Sequence, residues 1–179
     1  MVLTPFHLPL AFLLYYPFRK NLSLYAVLLA SVLPDLEGLY YLAAKVIPSC
    51  EYSEWVVFKA CWDSFETHFY SHSIIGVIAV GVAAALALKA LKTSSLEFNS
   101  LALSGVFGAA THVFVDLFTH TTPDELKLLL PLPWKFGQLY HAAAYDALTF
   151  LSVAVAVWML ALWRKGVFTR RRFIEKQYP

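Results

Sequence analysis

Apolar residues in this chain come in long blocks. Ser73 to Leu88 carries no charged side chain, Ala147 to Trp163 carries none, Ser100 to Val115 carries one ionisable residue, and the run from Asn21 to Pro34 meets its first charge at Asp35. At about 1.5 Å of rise per residue, roughly 20 helical residues cross a hydrocarbon core. Four spanning helices are therefore predicted, over about 22–45, 70–92, 100–119 and 145–164. The stretch from Pro5 to Phe18 is shorter, and Pro5, Pro9 and Pro17 interrupt the backbone hydrogen bonding that lipid demands. It is expected to be a broken fifth helix or a re-entrant segment. The predicted fold is all-α: a polytopic membrane bundle of four to five transmembrane helices.

Composition agrees with a bilayer as the solvent. Of the 179 residues 59% are hydrophobic and only 15% charged, more apolar surface than one water-soluble core of this size usually buries. The N-terminal stretch lacks the basic start, apolar middle and small-residue cleavage site of a secretory signal, so it is expected to stay in the mature protein. Nothing in the sequence divides the chain, and one integral membrane domain over 1–165, followed by a basic tail over 166–179, is the expected organisation.

Charge orients the bundle. The C-terminal region holds Arg164, Lys165, Arg170, Arg171, Arg172 and Lys176, and positive charge close to a span end marks the cytoplasmic side. Threading back through the predicted spans puts Lys89, Lys92, Arg19 and Lys20 on the same side, so that ten of the 14 basic residues share it. The loops at 46–69 and 120–144 then face outward. The expected location is the cell membrane, multi-pass, with the C-terminus cytoplasmic. A basic tail this short fits membrane lipid headgroups as partners and argues against nucleic acid. Cys50 and Cys61 both fall in the first outer loop, where an oxidising compartment permits a disulfide, but spacing alone does not say whether they meet.

Ionisable groups within a span are costly, and they default to functional sites. Counted by helical rise from the cytoplasmic ends, His7, Asp35, His112 and Asp116 all reach the outer half of the membrane, about 18–24 Å up. His72, His120 and Asp146 fall at outer span ends, and His68 and His141 beside them. His112 and Asp116 are four residues apart and share a helix face; His68 and His72 repeat that interval. Mixed imidazole and carboxylate donors suit zinc, manganese or iron better than calcium or magnesium. An interhelical hydrogen-bonded pair is the plain alternative for His112 and Asp116, solvated loop histidines for His120 and His141, and helix capping for Asp146. Pro34 opens a kink that frees backbone groups near Asp35 and Glu37.

Four segments of the chain resemble the YdjM-like family of membrane-bound metal-dependent hydrolases. They are Thr4-Pro5-Phe6-His7, then Leu33-Pro34-Asp35-Leu36-Glu37 where the family has a Leu-Pro-Asp-x-Asp/Glu segment, then His68-Phe69-Tyr70-Ser71-His72-Ser73, and last Gly108 to Thr119, which is similar to the family's Gly-x-x-x-His-x-x-x-Asp-x-x-Thr helix. Phe69 stands where the family usually has Arg. The resemblance runs from residue 4 to about 150 and implies the fold and the ligation of metal.

The function expected from these readings is metal-assisted hydrolysis. His7, Asp35, His72, His112 and Asp116 are the expected ligands of a divalent metal, zinc or manganese, and Glu37 or His68 the expected carrier of the proton. The site faces the extracytoplasmic side, where lipid-linked esters or phosphoesters present their headgroups. A component of an ion or metal transporter is the rival reading. It calls for polar groups continuing inward, whereas Ala79 to Leu88 and Val153 to Trp163 contain none that ionise. A scaffold with a structural metal is the third reading, and it calls for a site with every coordination position filled by protein.

Overall fold

The computed structural model describes residues 7–41, 43–44, 70–119 and 142–165. Cys50, Cys61, His68, His120, His141 and the tail beyond residue 165 lie outside them. Among the described residues the regular structure is helical throughout: α1 (His7–Tyr15), α2 (Leu24–Ala30), α3 (Asp35–Tyr41), α4 (Ile74–Ala90), α5 (Phe98–Thr119) and α6 (Ala142–Arg164).

Two of the predicted spans appear as helices long and apolar enough to cross a membrane, Phe98–Phe118 within α5 and Asp146–Arg164 within α6. The helix expected over 70–92 has 17 residues, about 25 Å, because Ser73 caps it late. Its hydroxyl accepts the Gly76 amide at 3.0 Å and leaves residues 70–72 in a turn. The span expected over 22–45 is not one helix. α2 and α3 have seven residues each and are separated by a turn over 31–34. Proline at 34 has no N–H to offer, and the amides around it reach three residues back, Asp35 N to Val32 O and Glu37 N to Pro34 O, both at 3.2 Å. α6 begins at Ala142, so Asp146 is past the first turn and exposed; it does not cap the helix.

α1 and α2 form one hairpin and α4 and α5 another. A three-residue 3-10 turn over Tyr16–Phe18 ends the first descending arm, and Ser23 caps the ascending one while its amide donates to Ser104 Oγ at 2.9 Å, tying the first hairpin to α5. The turn after α4 is closed by two bonds, Thr93 N to Leu88 O at 3.1 Å and Lys92 N to Lys89 O at 3.0 Å, with Lys92 in the left-handed region at φ 51°. α4 and α5 then run antiparallel with their backbones nearly touching: a Cβ added to Gly105 would lie 2.6 Å from Gly81 O. A Cβ on Gly108 would run into the Val27 carbonyl of α2. Small residues let helices approach this closely where lipid competes for apolar surface.

The core is accordingly split. Ala26, Ala85, Leu88 and Leu101 fill the space between α2, α4 and α5, with Ala30, Ala84 and Ala109 one layer nearer the site. α6 packs from outside, through Val155, Trp158, Met159 and Leu162, onto Phe12, Tyr15 and Tyr16 of the first hairpin and its turn. This register gathers Arg19 and Lys20, Lys89 and Lys92, and Arg164 and Lys165 at one end of the bundle. The open ends of both hairpins meet at the other.

Candidate metal centre

Four helical segments deliver side chains to that opposite end. α1 begins with His7, α3 begins with Asp35, the turn before α4 supplies His72, and the last two turns of α5 supply His112 and Asp116. All five side chains are buried, the most accessible, Asp35, only 4% exposed. The five residues singled out in the sequence as metal ligands are thus brought together in space.

Asp116 is the hub. Its Oδ2 lies 2.9 Å from His72 Nε2 and 3.1 Å from His112 Nε2, and its Oδ1 lies 3.4 Å from His7 Nε2. Asp35 Oδ1 is 3.4 Å from His112 Nε2. The two imidazoles approach each other with Nε2 atoms 3.1 Å apart. The His7 ring stacks on that of His112, with centroids 4.0 Å apart, and neither of its nitrogens makes a hydrogen bond to a described residue.

Protons can be assigned on the far sides of two rings. His112 Nδ1 is 2.8 Å from the carbonyl oxygen of Ser31. A carbonyl only accepts, so Nδ1 carries a proton and donates it there, and Nε2 is the nitrogen turned to the cluster. The Ser31 carbonyl is free to do this because the helix breaks there: the Asp35 amide, its partner in a continuous helix, bonds to Val32 instead. His72 Nδ1 is 2.9 Å from Ser71 Oγ, and that hydroxyl is 2.6 Å from Glu37 Oε2 and 3.1 Å from Pro34 O. Both of these oxygens accept. The serine proton goes to one of them, so His72 Nδ1 donates to Ser71 and Nε2 is again the nitrogen that faces inward.

Imidazole nitrogens and carboxylates pointed at one small volume are held together either by shared protons or, in their place, by a cation. The spacing suits one. Donor atoms about 2.0–2.2 Å from a tetrahedral ion stand about 3.3–3.6 Å from each other, and the contacts here, from 2.9 to 3.4 Å, come near that. Two triads have donor atoms close enough to hold an ion, His7–Asp35–His112 and His72–His112–Asp116. They share His112, whose single inward nitrogen can serve only one ion. Any second ion would have to be linked through the carboxylate of Asp116, which faces His7 with one oxygen and His72 and His112 with the other.

Glu37 sits one step further out. Its carboxylate accepts from the amides of Tyr70 at 3.2 Å and Ser71 at 2.8 Å besides the Ser71 hydroxyl, and it meets the cluster through Ser71 and His72. His68 lies outside the described residues. Sequence reasoning passed over Ser71 and the Ser31 carbonyl. Pro34 was the available signal for the carbonyl, and a serine directly before a buried histidine the signal for Ser71.

The described helices and this cluster define a helical membrane protein with a buried His/Asp site fit for a metal ion. The family described as YdjM inner membrane protein matches residues 3–174. The chain belongs to that family of inner membrane proteins. No curated protein and no solved structure matches it.

Proposed function

We propose that this protein is a membrane-embedded, metal-dependent hydrolase whose substrate is a lipid-linked ester or phosphoester. The observation that carries the reading is the convergence of the Nε2 atoms of His72 and His112 on the carboxylate of Asp116, 2.9 and 3.1 Å away. Imidazoles whose Nδ1 is held by an outer acceptor while Nε2 faces a carboxylate are arranged as a transition metal ion requires.

In this reading His72, His112 and Asp116 hold the ion, and His7 and Asp35 complete its surroundings. Zinc or manganese suits this donor set. A bound ion of this kind lowers the pKa of water enough to supply hydroxide near neutral pH. The residues' own tasks are separate. Asp116 brings negative charge between three rings, the Ser31 carbonyl holds the His112 ring, and His7 turns Nε2 toward Asp116 Oδ1 at 3.4 Å. His68 remains the candidate for moving a proton at the reacting centre, since Glu37 reaches the cluster only through Ser71.

The bundle of 1–165 is read as multi-pass, with the described basic residues and the tail 166–179 on the cytoplasmic side and the cluster toward the opposite face. An ester or phosphoester headgroup at that face would lie close to the site. The transporter reading fits less well, because residues 82–88 in the inward half of α4 are all alanine, leucine or valine, with the first charge at Lys89 in the last turn. The scaffold reading is separated from the hydrolase by activity.

The test is elemental analysis of detergent-purified protein beside His112→Ala and Asp116→Ala, followed by assays on ester and phosphoester substrates in mixed micelles. Near-stoichiometric zinc or manganese that vanishes in both variants, with metal-dependent turnover, is expected. A wild-type protein that takes up neither ion on reconstitution would sink the reading and leave a buried imidazole–carboxylate network. Bound metal without turnover would leave the scaffold.

A further inference from the structure

Glu37 is two residues from Asp35, yet the two carboxylates do different things. Residues two apart on a helix do not share a face. Asp35 turns to His112, while Glu37 turns to the segment that precedes α4 and gathers three donors there, the Tyr70 and Ser71 amides and the Ser71 hydroxyl. The hydroxyl contact, at 2.6 Å, has the length of a charge-assisted bond. On its other side the same oxygen meets His72 Nδ1 at 2.9 Å.

The order of donors along this chain is fixed at its far end. An ionised carboxylate can only accept, so the hydroxyl must donate to it. The hydroxyl lone pair then faces the imidazole, and Nδ1 must carry a proton. The Nδ1 proton of His112 is held by a different device, a main-chain carbonyl. One ring is thus oriented by the broken backbone of the first hairpin and the other by a side-chain relay.

We propose that Ser71 and Glu37 are positioning residues: the relay Glu37–Ser71–His72 holds a proton on His72 Nδ1 and turns Nε2 toward Asp116, and so sets the affinity of the site for its ion. The statement about affinity rests on the metal reading above; the statement about the proton does not. Outer partners of a ligating histidine typically change metal affinity about 10–100-fold, and removal of Ser71 falls in that range.

The test uses the full chain in detergent, labelled with 15N-histidine. His72 signals are assigned by their loss in His72→Asn. In the metal-free wild type His72 Nδ1 is expected to carry a proton. Ser71→Ala should give a mixture in which part of the His72 population lacks the Nδ1 proton while His112 stays unchanged, and should weaken Zn2+ and Mn2+ binding by about 10-fold or more. Ser71→Thr should restore both readouts. Glu37→Gln keeps an acceptor for the hydroxyl and should give a smaller shift of the same sign. Ser71→Ala leaves both amide bonds to Glu37 and the Ser73 cap in place, so the fold is expected to persist, and the unmoved His112 signals report on that directly. A wild-type degree of Nδ1 protonation in Ser71→Ala overturns the relay. Failure of the wild type to bind either ion overturns the metal reading instead, and the Nδ1 readout still decides the relay.

Discussion

α5 and α6 are almost the same length, 22 and 23 residues, and pass the same test for apolar spans, but they sit in opposite places. The most apolar stretch of α5 is 56% buried inside the protein and that of α6 only 11%. Hydropathy therefore says that both belong in a membrane and nothing about which is central. What separates them is the residues between the large apolar ones. α5 interleaves Ser104, Gly105, Gly108, Ala109, Thr111, His112 and Asp116, small enough for close packing or polar enough to need a partner. α6 presents Phe150, Val153, Val157, Leu160 and Trp163 outward and touches the bundle along one edge. In a bilayer the association of helices rests on packing and polar contacts, since lipid is as good a solvent as leucine.

The largest expected difference between the two helices concerns their aspartates. Asp116→Asn should remove bound zinc or manganese, because a neutral amide can no longer bring negative charge between three imidazoles. Asp146→Asn should leave metal content at the wild-type level, as its side chain is exposed and no part of the described cluster. Elemental analysis of both variants decides the matter. Loss of metal in Asp146→Asn would mean that α6 shares the site and would erase the contrast.

Next in size is the close approach on α5. Gly108→Val places a Cβ against the Val27 carbonyl, in backbone that cannot yield as a side chain would. The expected cost is about 3 kcal/mol or more, the upper part of the range for overpacked cores. Leu101→Ala, at a position fully buried between α2 and α4, should cost about 1–2 kcal/mol. That is less than the roughly 2–5 kcal/mol typical in water, because the transfer part of the penalty shrinks when the competing solvent is lipid. Unfolding in mixed SDS micelles measures both.

How much of this could be read from the sequence follows from the kind of signal each feature leaves. The four-residue interval of His112 and Asp116 fixes a shared face on a continuous helix, and α5 is continuous. Asp35 was legible as a residue at site depth, although the helix proposed to carry it is broken in two, because depth depends on chain length and hardly on the shape of the path. Glu37 was harder to place. The sequence reading made it a proton carrier at the site, and the orientation of α3 against residues 70–73 places it one step further out, on the Tyr70 and Ser71 amides. The Ser31 carbonyl leaves no mark in side-chain chemistry at all. It becomes an acceptor for His112 because Pro34 diverts the hydrogen bonding around it, a consequence visible only once both hairpins are assembled.

The smallest expected effect is the one that sharpens the comparison most. Phe150 on α6 is 78% exposed, the highest among the described large apolar side chains. If that face meets lipid, Phe150→Ala exchanges one apolar contact with acyl chains for another, and stability should change by less than about 0.5 kcal/mol. Such a result confines the packing energy of the bundle to α2, α4 and α5 and leaves α6 as a helix held by its Trp158 edge, where Phe12 and Tyr16 meet the indole at 5.5 and 5.1 Å between ring centres. A cost of about 1 kcal/mol or more, together with a lower mass by light scattering in detergent, would instead place a second copy of the chain against α6. The contrast between the two helices would then be one between packing within a protomer and packing between protomers.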